Sequence, residues 1–227
     1  MIAFNSWRHW RALAGACLSL AFTVTAAAAM MPTSDFEAAR TQFEAGRAGS
    51  EEANLRAQQL FAQLLRADAE NPLYLAYYGT TFTLQARDTH MPWTRIKLIN
   101  QGTSLLDRAL AHLDQPATAA RTAAVKPGAG PDALETRLVA MATFIALPEA
   151  LFHRHASAKR EYQNAIASPE FATASADLRG HLEYEGALIA RNEGDTATER
   201  ATLRRVMALA PPSIDLAEVR ARLAELH

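Results

Sequence analysis

The chain of 227 residues carries 23 basic and 24 acidic side chains, 49% hydrophobic residues, 10 Gly, 10 Pro and a single cysteine. This apolar fraction with balanced charge excludes a disordered chain, and the length suffices for a sizeable core. A formal net charge of −1 gives no basic field for a nucleic-acid backbone. One cysteine excludes an internal disulfide framework and a thiolate zinc cage.

Residues 1–29 differ from the rest. Arg8, His9 and Arg11 make a basic start, Ala12 to Val24 carries no charge, and Ala26 to Ala29 supplies the small residues of a cleavage site. This pattern predicts a secretory signal peptide, cleaved near Ala29. The competing reading, a membrane anchor, needs roughly 20 apolar residues and a basic stop, neither of which the segment provides. Lipidation at Cys17 would require a large aliphatic three places upstream, where Ala14 stands, and Cys17 sits inside the apolar run. Loss of Arg8 and Arg11 takes the formal charge from −1 to −3 and leaves no cysteine, which suits an oxidising compartment. The expected location is therefore a bacterial periplasm or the medium, with no membrane insertion after cleavage.

Residues 30–227 predict one all-α domain. Ser34 to Glu37 forms a capping box ahead of Phe36, Ala39 and Phe43. Ser50 caps a second helix with Leu55, Leu60, Phe61, Leu64 and Leu65, which Asn71-Pro72 ends. Pro72 opens a third through Leu75, Tyr78, Phe82 and Leu84. A fourth is expected from about Thr94 to Leu113, with later helices over Asp132–Leu147, His155–Ala167, Ala172–Asn192, Thr196–Ala210 and Leu216–Leu226. Between the fourth and fifth, residues 115–131 are rich in Ala, Pro and Gly with Val125 the one larger aliphatic, and predict a flexible loop.

Small and aromatic residues recur at repeat spacing. Ala57-x3-Phe61-x2-Leu64, then Ala69, Asn71-Pro72, Leu75, Tyr78-Gly79 and Phe82 form one set, continued by Gly102-x3-Leu106-x2-Ala109. Gly194-Asp195 followed by Leu203, Val206-Met207 and Leu209-Ala210-Pro211 form another, with Glu199 where Ala is usual, and Ala158-x3-Tyr162-x2-Ala165 with Pro169 is a weaker copy. Over about residues 34–227 the chain resembles the tetratricopeptide repeat, a two-helix unit of 34 residues. The resemblance implies antiparallel helical hairpins stacked as an irregular superhelix. Leu216, Val219, Leu223 and Leu226 form a C-terminal capping helix with its own box from Asp215 to Glu218. Departures are an insertion over Thr83 to Trp93, the Ala/Pro/Gly loop, and His153-Arg154-His155 beside Pro148.

The resemblance further implies a non-catalytic binding module or scaffold for an envelope protein or peptide, as a monomer or weak dimer. By register, the binding groove maps onto His181, Tyr184, Arg191 and Asn192, types that can hold a peptide backbone and a carboxylate; a solvated polar face is the alternative. A second surface is the string from Asp88 to Lys97, where Trp93, Arg95 and Lys97 can form an aromatic and basic anchor. Alternatively Trp93 plugs a gap between hairpins in a rigid elbow. On the anchor reading, the stack would stabilise a larger envelope assembly or transporter through that elbow.

Chemistry is thin. There is no phosphate loop, Gly-x-Ser-x-Gly or His-Glu-x-x-His, and no cofactor or metal is expected. His153 and His155 point apart on a helix and lack a third ligand, while His181 and Glu185 read as an ordinary i, i+4 pair. A small-molecule binder or enzyme is the remaining alternative.

Overall fold

The computed structural model describes residues 35–115 and 131–226. The signal segment, the Ser34 cap and positions 116–130 of the predicted loop lie outside the described residues. Among those described, every regular element is a helix: α1 Asp35–Arg47, α2 Glu51–Ala67, α3 Pro72–Asp88, α4 Pro92–Asp114, α5 Pro131–Ala146, α6 Glu149–Phe152, α7 His155–Ala167, α8 Pro169–Thr173, α9 Ala176–Asn192, α10 Thr196–Leu209 and α11 Leu216–Glu225. None is long and apolar enough to cross a membrane.

Short polar side chains start these helices by accepting from amides that have no partner inside the helix. Ser50 Oγ accepts from Ala53, Asn71 Oδ1 from Leu73 and Tyr74, Ser175 Oγ from Leu178, Asp195 Oδ1 from Thr198 and Asp215 Oδ1 from Ala217. Pro72 and Pro92 sit in first turns, where the missing N–H costs nothing.

Three boundaries differ from the sequence expectation. The predicted insertion over Thr83 to Trp93 is absorbed as helix, since α3 continues to Asp88 and α4 begins at Pro92, leaving residues 89–91 as the connection. The predicted helix over Ala172–Asn192 is interrupted at Ala174 and Ser175, where Ser175 caps α9 and cuts off the short α8. One turn, α6, was not anticipated; it ends at His153 in a left-handed conformation (φ 51°), and Glu149 Oε2 accepts from the His155 amide at 2.8 Å.

Packing follows from the small residues. Gly79 of α3 and Gly102 of α4 face each other so closely that a Cβ on Gly79 would lie 2.8 Å from the Gly102 carbonyl oxygen. Neighbours pair as α1 with α2, α2 with α3, α3 with α4 and α9 with α10; α3 also packs on α5, and α5 and α9 contact each other and α7. Three main clusters result. Phe43, Phe61, Leu73 and Tyr77 fill the first, between α1, α2 and α3. Leu75, Leu106, Leu134, Met141, Phe144 and Leu182 fill the second, from α3 to α9. Leu203, Val206, Ile214 and Val219 fill the third, under α11.

Candidate functional site

The connection from α3 to α4 is held from both sides. Arg95 turns back so that Nε donates to the Ala86 carbonyl at 3.1 Å and Nη2 to Thr89 at 2.6 Å, covering carbonyls at the C-terminal end of α3. Arg87 donates to the carbonyls of Gly46 and Arg47 at 3.0 and 3.1 Å and pairs with Asp88, so it ties the end of α1 to the end of α3. Two guanidiniums thus fix the elbow's backbone. Arg95 is part of that clamp and does not project as a basic anchor.

Trp93 is 82% exposed and Met91 63%. Trp93 therefore does not plug a gap between hairpins. Lys97 is also exposed, with no hydrogen-bond or ion-pair partner among the described residues. Ile96, Leu55 and Leu151 are the other large apolar side chains exposed at this end of the stack. Leu55 lies in the first turns of α2 beside Asp88 and Thr89, and α6, which carries Leu151, places Phe152 against a cluster of Ala86, Ile99 and Leu147. Ile166, near the end of α7, is the one exposed large apolar residue elsewhere among those described.

The four groove residues on α9 do not converge on an open surface. Arg191 Nε donates to Glu199 at 2.6 Å. Tyr184 packs half-buried against the third cluster, where burial pushes its phenol up to about 12. Asn192 is exposed at the last position of α9. His181 Nε2 lies 2.6 Å from Ser213 Oγ, and Ser213 Oγ lies 2.5 Å from Asp177 Oδ1. An ionised carboxylate can only accept, so the Ser213 proton points at Asp177 and His181 Nε2–H donates to the hydroxyl. A nucleophilic serine needs its proton directed at the imidazole, and here it is directed away.

Glu185 lies one turn beyond His181 on α9. It has no hydrogen-bond partner among the described residues, and burial pushes its carboxyl up to about 7, partly offset by Arg47 of α1. His181 is pulled down, chiefly by burial, and also feels Arg47, Glu44 and Arg40 of α1. Charged groups of α1 thus act on His181 and Glu185 of α9 through space. Tyr77 donates a hydrogen bond to Glu135 of α5, and Arg40 approaches the same carboxylate at 3.9 Å. No local pattern could have revealed these contacts, because they join residues far apart in the chain, 58 positions for Tyr77 and Glu135.

No group of three or more His, Cys, Asp or Glu converges as a metal site among the described residues. Comparison with known protein families, curated proteins and solved structures finds no match.

Proposed function

We propose that the chain is an exported, non-catalytic binding module built as an irregular tetratricopeptide-like stack, which engages a protein or peptide of the cell envelope. In this reading the hairpins are α1/α2, α3/α4, α5/α7 and α9/α10, with α11 as cap. Support comes from the facing Gly79 and Gly102 and from Pro211, which closes α10 and packs on Gly180. The observation that carries the binding role is the elbow: an almost fully exposed tryptophan on a backbone clamped by two arginines. Monomeric proteins rarely expose clustered large apolar side chains without a use, and tryptophan concentrates binding energy when it becomes covered. The elbow is favoured over the α9 groove because Arg191 and Tyr184 already have partners within the chain.

The test is a photoreactive phenylalanine analogue at position 93 in intact cells, with the same substitution at exposed Arg56 as control. A discrete crosslinked product at position 93 and none at 56 is expected. Equal products at both positions, or none at 93, would overturn the assignment.

A further inference from the structure

The first half of α4 leaves a face uncovered. Trp93, Ile96, Lys97 and Asn100 are all exposed and fall at i, i+3, i+4 and i+7, so they share one stripe along the helix. The inward face of the same helix, with Ile99, Gly102, Thr103 and Leu106, is buried. Two large apolar side chains thus stand in water beside a cation, on a helix already packed on its other side.

The charge of this stripe is specific. Between Arg87 and Lys97 three cationic side chains, Arg87, Arg95 and Lys97, stand against one anionic, Asp88, in a chain whose formal charge is −1. Arg87 is matched by Asp88 and by the carbonyls of Gly46 and Arg47, and Arg95 by the carbonyls of Ala86 and Thr89. Both face the backbone they clamp. Lys97 has no hydrogen-bond or ion-pair partner among the described residues, and it stands one turn beyond Trp93 and next to Ile96.

These charges separate the occupants that can cover the stripe. A second copy would set the same positive segment against itself. An anionic lipid surface draws on clusters of free Lys and Arg, and here both arginines are turned inward. An extended peptide gains its affinity from a sheet edge or an aromatic groove. The exposed stripe of α4 is instead a helix ridge, on which another helix packs through its own i+3 and i+4 rows. A carboxylate on that helix meets Lys97, and aliphatic cover over Trp93 and Ile96 keeps water from the pair and strengthens it.

We propose that the elbow receives an acidic, apolar helix of the partner protein, lying along the first half of α4 with aliphatic side chains on Trp93 and Ile96 and an Asp or Glu on Lys97. The inference rests on reading the elbow as the partner-facing surface. Leu55 lies outside this footprint, because Glu51, one turn before it on α2, would repel the same carboxylate.

The experiment moves the photoreactive phenylalanine analogue to Asn100, about 10 Å along the helix from position 93, so that Trp93 stays in place. Products are compared in intact cells for the native Lys97, Lys97→Arg and Lys97→Glu. The partner captured at position 93 should be captured again at 100, at an unchanged level in K97R and about fivefold less in K97E. Mass spectrometry of the crosslinked peptide should find an Asp or Glu within one helical turn of the attachment point. Reversing that acid to Lys in the partner should restore the K97E product, which misfolding of K97E would not allow. Indifference to K97E, a peptide without an acid, failure of the charge swap, or a product that is a second copy or a phospholipid overturns the proposal. A product at 93 with none at 100 also overturns it, since a helix along α4 passes both, and leaves the elbow as the partner-facing surface. No product at either position removes the elbow reading itself.

Discussion

The first and last parts of the stack are held together by different physics. Between α1, α2 and α3 the contacts are aromatic: Phe61 stacks on Tyr77 at 5.0 Å with 5° between planes, and Phe43 meets Tyr77 edge-on at 4.8 Å. Between α5 and α11 each seam contains a buried glutamate. Glu161 is held by Arg137 and Arg160, Glu183 by Arg205 and Tyr162, and Glu199 by Arg191 and Arg222. Aromatic burial is strong and indifferent to pH. Buried ion pairs contribute less net stability but are severe when one side is removed, and they favour one register of neighbouring helices.

Phe61→Ala should show the largest effect on the aromatic side. Phe61 is fully buried and meets three other rings, so a loss of about 4 kcal/mol is expected. Urea denaturation at pH 7 and pH 4.5 should give the same loss at both, since no charge is involved.

On the ionic side, replacing Arg191 and Arg222 together by Ala leaves Glu199, 1% exposed, without its two guanidiniums. A loss of about 3 kcal/mol is expected at pH 7. The Arg222 guanidinium, with Arg191, holds the Glu199 carboxyl below its ordinary value of 4.5. In the native chain this stabilisation is present above pH 4.5 and is lost as pH falls through the depressed folded value. In the double variant burial alone acts and raises the carboxyl, so stability should instead recover on acidification. An equal loss at pH 7 and pH 4.5 would show that Glu199 was not the cause.

Glu185 has no hydrogen-bond partner among the described residues, and its effect runs the other way. Its carboxyl is raised from 4.5 to about 7, so the native fold prefers it protonated. Stability is complete below pH 4.5 and falls as pH rises toward 7, where ionisation sets in. Because the side chain is only half-buried, the penalty above pH 7 is about 1 kcal/mol. Glu185→Gln should therefore match the native chain at pH 4 and exceed it by that amount at pH 8, read from paired urea midpoints.

Much of the helical organisation was legible because its causes are local. Asn71-Pro72, Ser50, Asp195 and Asp215 act within three residues of where they stand, and Gly79 and Gly102 fall at repeat spacing. Glu199 departs from the small residue that the repeat resemblance leads one to expect, and its charge is met by Arg191 and Arg222. The single-turn α6 was illegible, being too short for any periodicity. The groove assignment followed repeat register, which cannot register that Glu199 takes Arg191 or that the third cluster takes Tyr184. The influence of the α1 charges on His181 and Glu185 of α9 is long-range and leaves no mark on either segment.

The smallest expected effect is the most discriminating for the elbow, which belongs to neither kind of seam. Trp93 removes little surface from water in the folded chain, so Trp93→Ser should change stability by less than about 0.5 kcal/mol. A core tryptophan would instead cost about 3–5 kcal/mol. Beyond residue 10 it is the chain's only tryptophan, so in protein processed near Ala29 its fluorescence reports the elbow alone. Solvent-like emission from the isolated protein, shifting to the blue only when a partner is added, follows if the ring is a free anchor. Blue emission from the outset, with a loss of several kcal/mol in W93S, would mean that the ring is covered within the chain and would return the elbow to a purely architectural role.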